Sequence, residues 1–153
     1  MTSKLAVLLF LVMASAAWGA SGIAALQPAP AEELTDKVRG FLKKEMRLLA
    51  EGGRAIEAAL AEGDDATVKK HAAKMHETFV HKDEVTTFDL RILIAVLGDD
   101  FVAQDKAFHA TARALEAAAA AGDLKQQRQL FQRMLEACVA CHKAYAPEAP
   151  VLE

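Results

Sequence analysis

The sequence predicts an all-α protein, an antiparallel, up-down-up-down four-helix bundle. Three observations carry that prediction. Long segments rich in Ala, Leu, Glu and Lys favour helix. Within them, apolar residues recur every three to four positions, the spacing of one helix face. Gly63-Asp64, Gly98-Asp99 and Gly122-Asp123 punctuate the chain as stop-and-start signals, and short turns of that kind make neighbouring helices antiparallel. The 153 residues fit one domain.

Residues 1–20 read as a secretory signal peptide. Lys4 supplies the positive start, residues 5–12 form the apolar stretch, and small residues follow. Cleavage falls between Ala16 and Ala25, with Ala17-Trp18-Gly19 as one suitable site. The apolar run is short of the roughly 20 residues a membrane-spanning helix needs, so a membrane is involved only if the signal stays uncleaved. Residues 21–31, with Pro28 and Pro30, read as a linker to a bundle over 32–153.

The first helix is expected from Glu32 to about Leu60, with Leu34, Val38, Leu42, Leu49, Ile56 and Leu60 inward. Glu32, Glu33 and Asp36 complement the positive end of its dipole. Gly63 closes it, and Asp64-Asp65 caps the next. The second helix is expected over 66–82, with Val68, Ala72, Met75, Phe79 and Val80 inward. Residues 83–97 are harder to read, because Thr86, Thr87 and Phe88 are weak helix formers. The apolar run 92–97 fits helix or strand by periodicity alone. Its helical surroundings favour the end of a helix or a short additional helix packed in the core. The third helix is expected over 101–121, with Phe101, Phe108, Ala112 and Leu115 inward. The fourth spans 124–145, with Leu124, Leu130, Phe131, Met134 and Leu135 inward, and Pro147 and Pro150 end it.

The net charge of −3 gives no basis for nucleic-acid binding, and no polybasic membrane patch exists. Acidic residues are spread along helix faces as solvated surface, and no nucleophile, phosphate-loop or metalloprotease motif occurs. No enzyme activity is expected.

The chemistry concentrates in Cys138-Val139-Ala140-Cys141-His142, at the end of the last helix. C-x-x-C-H is the attachment signature of c-type haem. Two thiols with two residues between them share a helix face and can add to the two haem vinyl groups. The following His is then held under the iron as an axial ligand. A thioredoxin-like C-x-x-C needs a βαβ setting that is missing here. A zinc site needs a second ligand pair, also missing, and the third alternative is an incidental pair. These are the chain's two cysteines, so none is left for a structural disulfide. An exported chain agrees with haem, because c-type haem is attached outside the cytoplasm. The expected address is therefore outside the cytoplasm.

A C-terminal C-x-x-C-H on the last helix of a bundle resembles the cytochrome c′ family. The likeness is closest from Ala117 through Gly122-Asp123-Leu124 and Phe131 to Cys138–His142 and Tyr145, and looser through Leu49, Ile56, Ala59 and Leu60. It implies one covalent haem c on Cys138 and Cys141, with His142 as proximal iron ligand. It also implies a periplasmic setting and a homodimer. A low-spin subgroup carries a Met from the first helix as sixth ligand, and matching through Ile56 and Leu60 puts Met46 there. A His/Met haem suits electron transfer. Met75 and Met134 are rivals, although Met134 sits one turn before Cys138 and fits packing better. The chain departs from the family at Ala146, where many members carry a basic residue; Lys143 is the nearest substitute. His71, His76, His81 and His109 are read as surface or helix-end residues.

The expected function is electron transfer with periplasmic redox proteins through the haem edge. The alternative is a five-coordinate haem that binds or buffers nitric oxide or carbon monoxide. Met46 decides between them: a bound thioether blocks the sixth position, and an apolar cover leaves it open to gas.

Overall fold

The computed structural model describes residues 31–77, 84–149 and 151. The predicted signal peptide, residues 21–30 of the linker, and His81 lie outside them. A 3-10 turn at Ala31–Glu33 precedes four helices: α1 (Asp36–Glu62), α2 (Asp65–His76), α3 (Thr87–Ala120) and α4 (Leu124–Tyr145). No strand occurs among the described residues. α1 packs on α2, α2 on α3 and α3 on α4, the order of an up-and-down bundle.

Short polar side chains start every helix. Thr35, Asp64, Thr86 and Asp123 each accept a hydrogen bond from the backbone N–H three residues on, satisfying a donor that the helix leaves unpaired. The cap at Thr35 moves the start of α1 from the predicted Glu32 to Asp36. Gly63 ends α1 in the left-handed region, at φ 72°. α2 stops at His76, short of the predicted Lys82, where Glu77 turns to extended backbone.

The largest departure is α3. It begins at Thr87, well before the predicted Phe101, and absorbs the ambiguous run 92–97 as helix. A capping box explains the start: Asp89 N–H donates to the Thr86 hydroxyl, and the Asp89 carboxylate accepts from Thr86 N–H. Gly98, at φ 82° and ψ 173°, breaks the helical path without ending the element. Of the run itself, Leu97 is buried but Ile94 faces out.

Two apolar clusters hold the helices. One joins Ile56, Ala59 and Leu60 of α1, Val68, Ala72 and Met75 of α2, Ala112 and Leu115 of α3, and Leu130, Phe131 and Met134 of α4. Full burial of Ile56, Val68 or Leu115 contributes roughly 1.5–3 kcal/mol each. Met134 thus serves packing, as its position beside Cys138 implied. The other cluster joins Leu34, Val38, Leu97, Phe101 and Tyr145, with Leu42, Val102 and Cys141 against it. There the Phe101 and Tyr145 rings meet edge to face at 5.1 Å.

α1 and α2 approach closely at Gly52. A Cβ there would lie 2.8 Å from the terminal methyl of Met75, whereas a Cβ on exposed Gly40 meets nothing. Gly40→Ala is therefore expected to raise stability by about 0.5–1 kcal/mol through helix propensity. Gly52→Ala is expected to lose that gain to displacement of Met75. Urea unfolding of the two variants checks the difference.

Asp89 also ties α3 to α1. Its carboxylate accepts from Lys37 Nζ at 2.6 Å and from the Thr86 hydroxyl at 2.6 Å. The Lys37 bond first, then Thr86, hold the carboxyl down at about 2. A depressed folded pKa stabilises above the ordinary carboxylate value of about 3.8 and is lost as pH falls toward 2. The urea midpoint is expected to fall between pH 5 and about 2.5 more steeply in the wild type than in Asp89→Asn.

Candidate haem site

The two apolar clusters do not meet. On α1, Leu42 belongs to one and Leu49 to the other, with Glu45 between them. On α3, Val102 and Phe108 are divided in the same way by Asp105, and on α4, Leu135 and Cys141 by Cys138. At this level Glu45 and Cys138 stand half-buried where the core would otherwise run on, and Asp105 stands exposed at its edge.

Both cysteines are free thiols and partly buried. Burial raises the Cys138 thiol above its ordinary range. It pushes Cys141 up to about 11, with Cys138 and the Asp105 charge adding to it. His142 lies one residue on, half-buried, with Nδ1 3.4 Å from the Ala149 carbonyl oxygen. Donation from Nδ1–H to that carbonyl leaves Nε2 as the free lone pair, the arrangement that orients a metal-binding imidazole. Tyr145, in the last turn, is locked under Phe101 and receives a hydrogen bond from Gln104 Nε2 at 3.3 Å. Lys143 is exposed on that turn.

Across the layer, Glu45 Oε1 is buried without a hydrogen-bond partner. Burial first, and Asp105 second, hold this carboxyl above the usual range, while His109 opposes them. Met46 is half-buried and belongs to neither apolar cluster. It lies on the side of α1 turned away from the Gly52–Met75 contact, about 100° round the helix from Glu45. Gly53, two turns on along the same side, is buried, yet a Cβ on it would meet nothing within 4 Å. Met75, by contrast, is packed against Gly52 in the core.

His76 stands at the end of α2, within the expected surface or helix-end placement, whereas His109 lies inside α3; each side chain is only 17% exposed and paired across helices. His109 Nδ1–H donates to the Met75 carbonyl at 2.6 Å, capping the end of α2, and Nε2 lies 3.4 Å from Asp105 Oδ1. The Asp105 bond raises its pKa and burial opposes the rise. His76 Nε2 lies 2.8 Å from Glu116 Oε2. Glu45 and Asp105 escaped the sequence reading. Their signal was present: the apolar stripe of α1 skips from Leu42 to Leu49, and Asp105 stands one turn before His109.

These residues fit a haem. Paired thiols on one helix face, a presented imidazole, an orphaned carboxyl oxygen and an interrupted core occur together here. Held up at about 11, the Cys141 thiol contains little thiolate near neutral pH. In haem-free protein, iodoacetamide at pH 8 is expected to alkylate Cys141 at least about tenfold more slowly than the urea-unfolded chain. Mass spectrometry of the labelled peptides reads this out.

A family model described as Cytochrome C' matches residues 37–146, more than half of the chain. No curated protein and no solved structure matches it. The matched segment runs from the first turn of α1 to the residue after Tyr145 and so contains all four helices, both thiols and His142. The chain belongs to the cytochrome c′ family.

Proposed function

We propose that this protein is an exported, periplasmic mono-haem cytochrome that carries single electrons between other redox proteins. Cys138 and Cys141 hold the haem covalently, and His142 is its proximal ligand. Haem so held supplies a one-electron iron couple tuned by its axial ligands, its burial and nearby charge. The chain's own residues hold the group rigidly between two packed clusters, limit water around it and present a thioether, Met46, from the facing helix. That thioether, half-buried yet packed into neither apolar cluster, is the observation that carries the electron-transfer reading. His142/Met46 ligation keeps the iron low-spin in both oxidation states, which suits exchange through the haem edge. Redox partners meet such a protein in small, transient contacts, and a homodimer accords with the family.

Absorption spectra of oxidised and reduced protein, beside Met46→Ala, test the proposal. A low-spin wild type with a far-red thioether-to-iron band, lost in the variant, is expected. A high-spin wild type indifferent to the substitution would overturn Met46 as ligand and favour the binding of nitric oxide or carbon monoxide instead.

A further inference from the structure

Beside the haem layer, a cleft of about 380 Å3 opens between the end of α2 and the middle of α3. His76, Asp105, Lys106, His109, Ala110 and Arg113 line it. Lys106, His109, Ala110 and Arg113 follow at three-to-four spacing, so they form one stripe of α3. Two of its side chains are already engaged. His76 faces Glu116, and His109 is held between the Met75 carbonyl and Asp105. Lys106 and Arg113 have no ion-pair partner among the described residues. The cleft reaches the haem layer through Asp105, whose charge acts on both Cys141 and Glu45.

The chemistry of haem makes this position informative. Its two vinyl groups lie at one edge of the porphyrin and its two propionate carboxylates at the opposite edge. Joining the vinyl edge to Cys138 and Cys141 on α4 turns the propionates away from α4. Two carboxylates left in an apolar interior are costly unless they reach water or cations. The α2–α3 cleft, which is lined by no described residue of α4, offers both. Asp105 is a poor competitor for the two cations, because its own charge is already matched by His109. We propose that this cleft receives the haem propionates, with Lys106 and Arg113 as their cationic partners. Arg113 brings a planar fork suited to a carboxylate, and Lys106 a mobile point charge.

The inference rests on the haem reading above, and one experiment separates the two. The haem-loaded protein is compared with the Lys106→Gln/Arg113→Gln double variant. A second double variant, Lys125→Gln/Arg128→Gln, makes the same charge change at the far end of the bundle. Haem content is read as the pyridine complex, the midpoint potential by redox titration and the propionate bending band by resonance Raman. The first variant is expected to keep its haem, move the propionate band and lower the potential, because unmatched propionate charge favours ferric iron. The control keeps wild-type values, and Lys106→Arg/Arg113→Lys restores the band. If the first variant retains haem with wild-type band and potential, or if the control shifts equally, the proposal is overturned. A wild type without haem overturns the functional reading itself and this inference with it. Should the first variant lose haem while the charge-conserving one keeps it, the cations are needed at the site, as proposed.

Discussion

A helical bundle that carries a large rigid cofactor must stop packing on itself at one level and pack firmly on both sides of it. Here that constraint organises the molecule. The cluster around Ile56, Leu115 and Met134 holds four helices together on one side, and the cluster around Val38, Leu97 and Tyr145 holds three on the other. Between them stand Glu45 and Cys138, which an uninterrupted core would not tolerate, with exposed Asp105 at the rim. The polar layer is affordable because each neighbouring cluster independently fixes the helix positions.

The ends of α2 show how polar groups add specificity to that packing. At its start, Gln127 of α4 is fully buried and donates to Asp65 at 2.7 Å. At its finish, His109 of α3 takes the Met75 carbonyl and Asp105 holds the other ring nitrogen. A cationic imidazole at a helix C-terminus is favoured by the helix dipole. The shortest of the four helices is thus clamped at both ends by partners from two others, and at its finish the Met75 side chain also packs against Gly52 of α1.

Helix faces and turns were legible in the sequence because they depend on local rules. Gly63, Asp64, Gly122 and Asp123 act where their backbone preferences predict, and Ile56, Val68, Leu115 and Leu130 lie inward as their spacing requires. The haem motif was legible because two thiols and an imidazole at fixed spacing have few other uses. The start of α3 was not. Thr86, Thr87 and Phe88 are weak helix formers individually, and what fixes the helix there is a reciprocal cap with Asp89 and a lysine from α1 distant in sequence. Glu45 and Asp105 were missed because each looks like ordinary surface charge until the tertiary fold brings them to one level.

Gly98 divides more than the path of a helix. Helical cooperativity runs through an unbroken ladder of backbone bonds, and a residue at φ 82° and ψ 173° interrupts it. The segment before it, residues 87–97, has its own cap, its own tie to α1, and apolar side chains at Phe88, Leu90 and Ile94 that face water. The segment after it carries Asp105 and His109 and packs against α2 and α4. The first part can therefore open as a separate unit while the second keeps its amides protected, but Ile92, Leu93, Val96 and Leu97 pack in one cluster with Tyr145 and Cys141, so local unfolding at this end loosens the apolar support of the C-x-x-C-H turn.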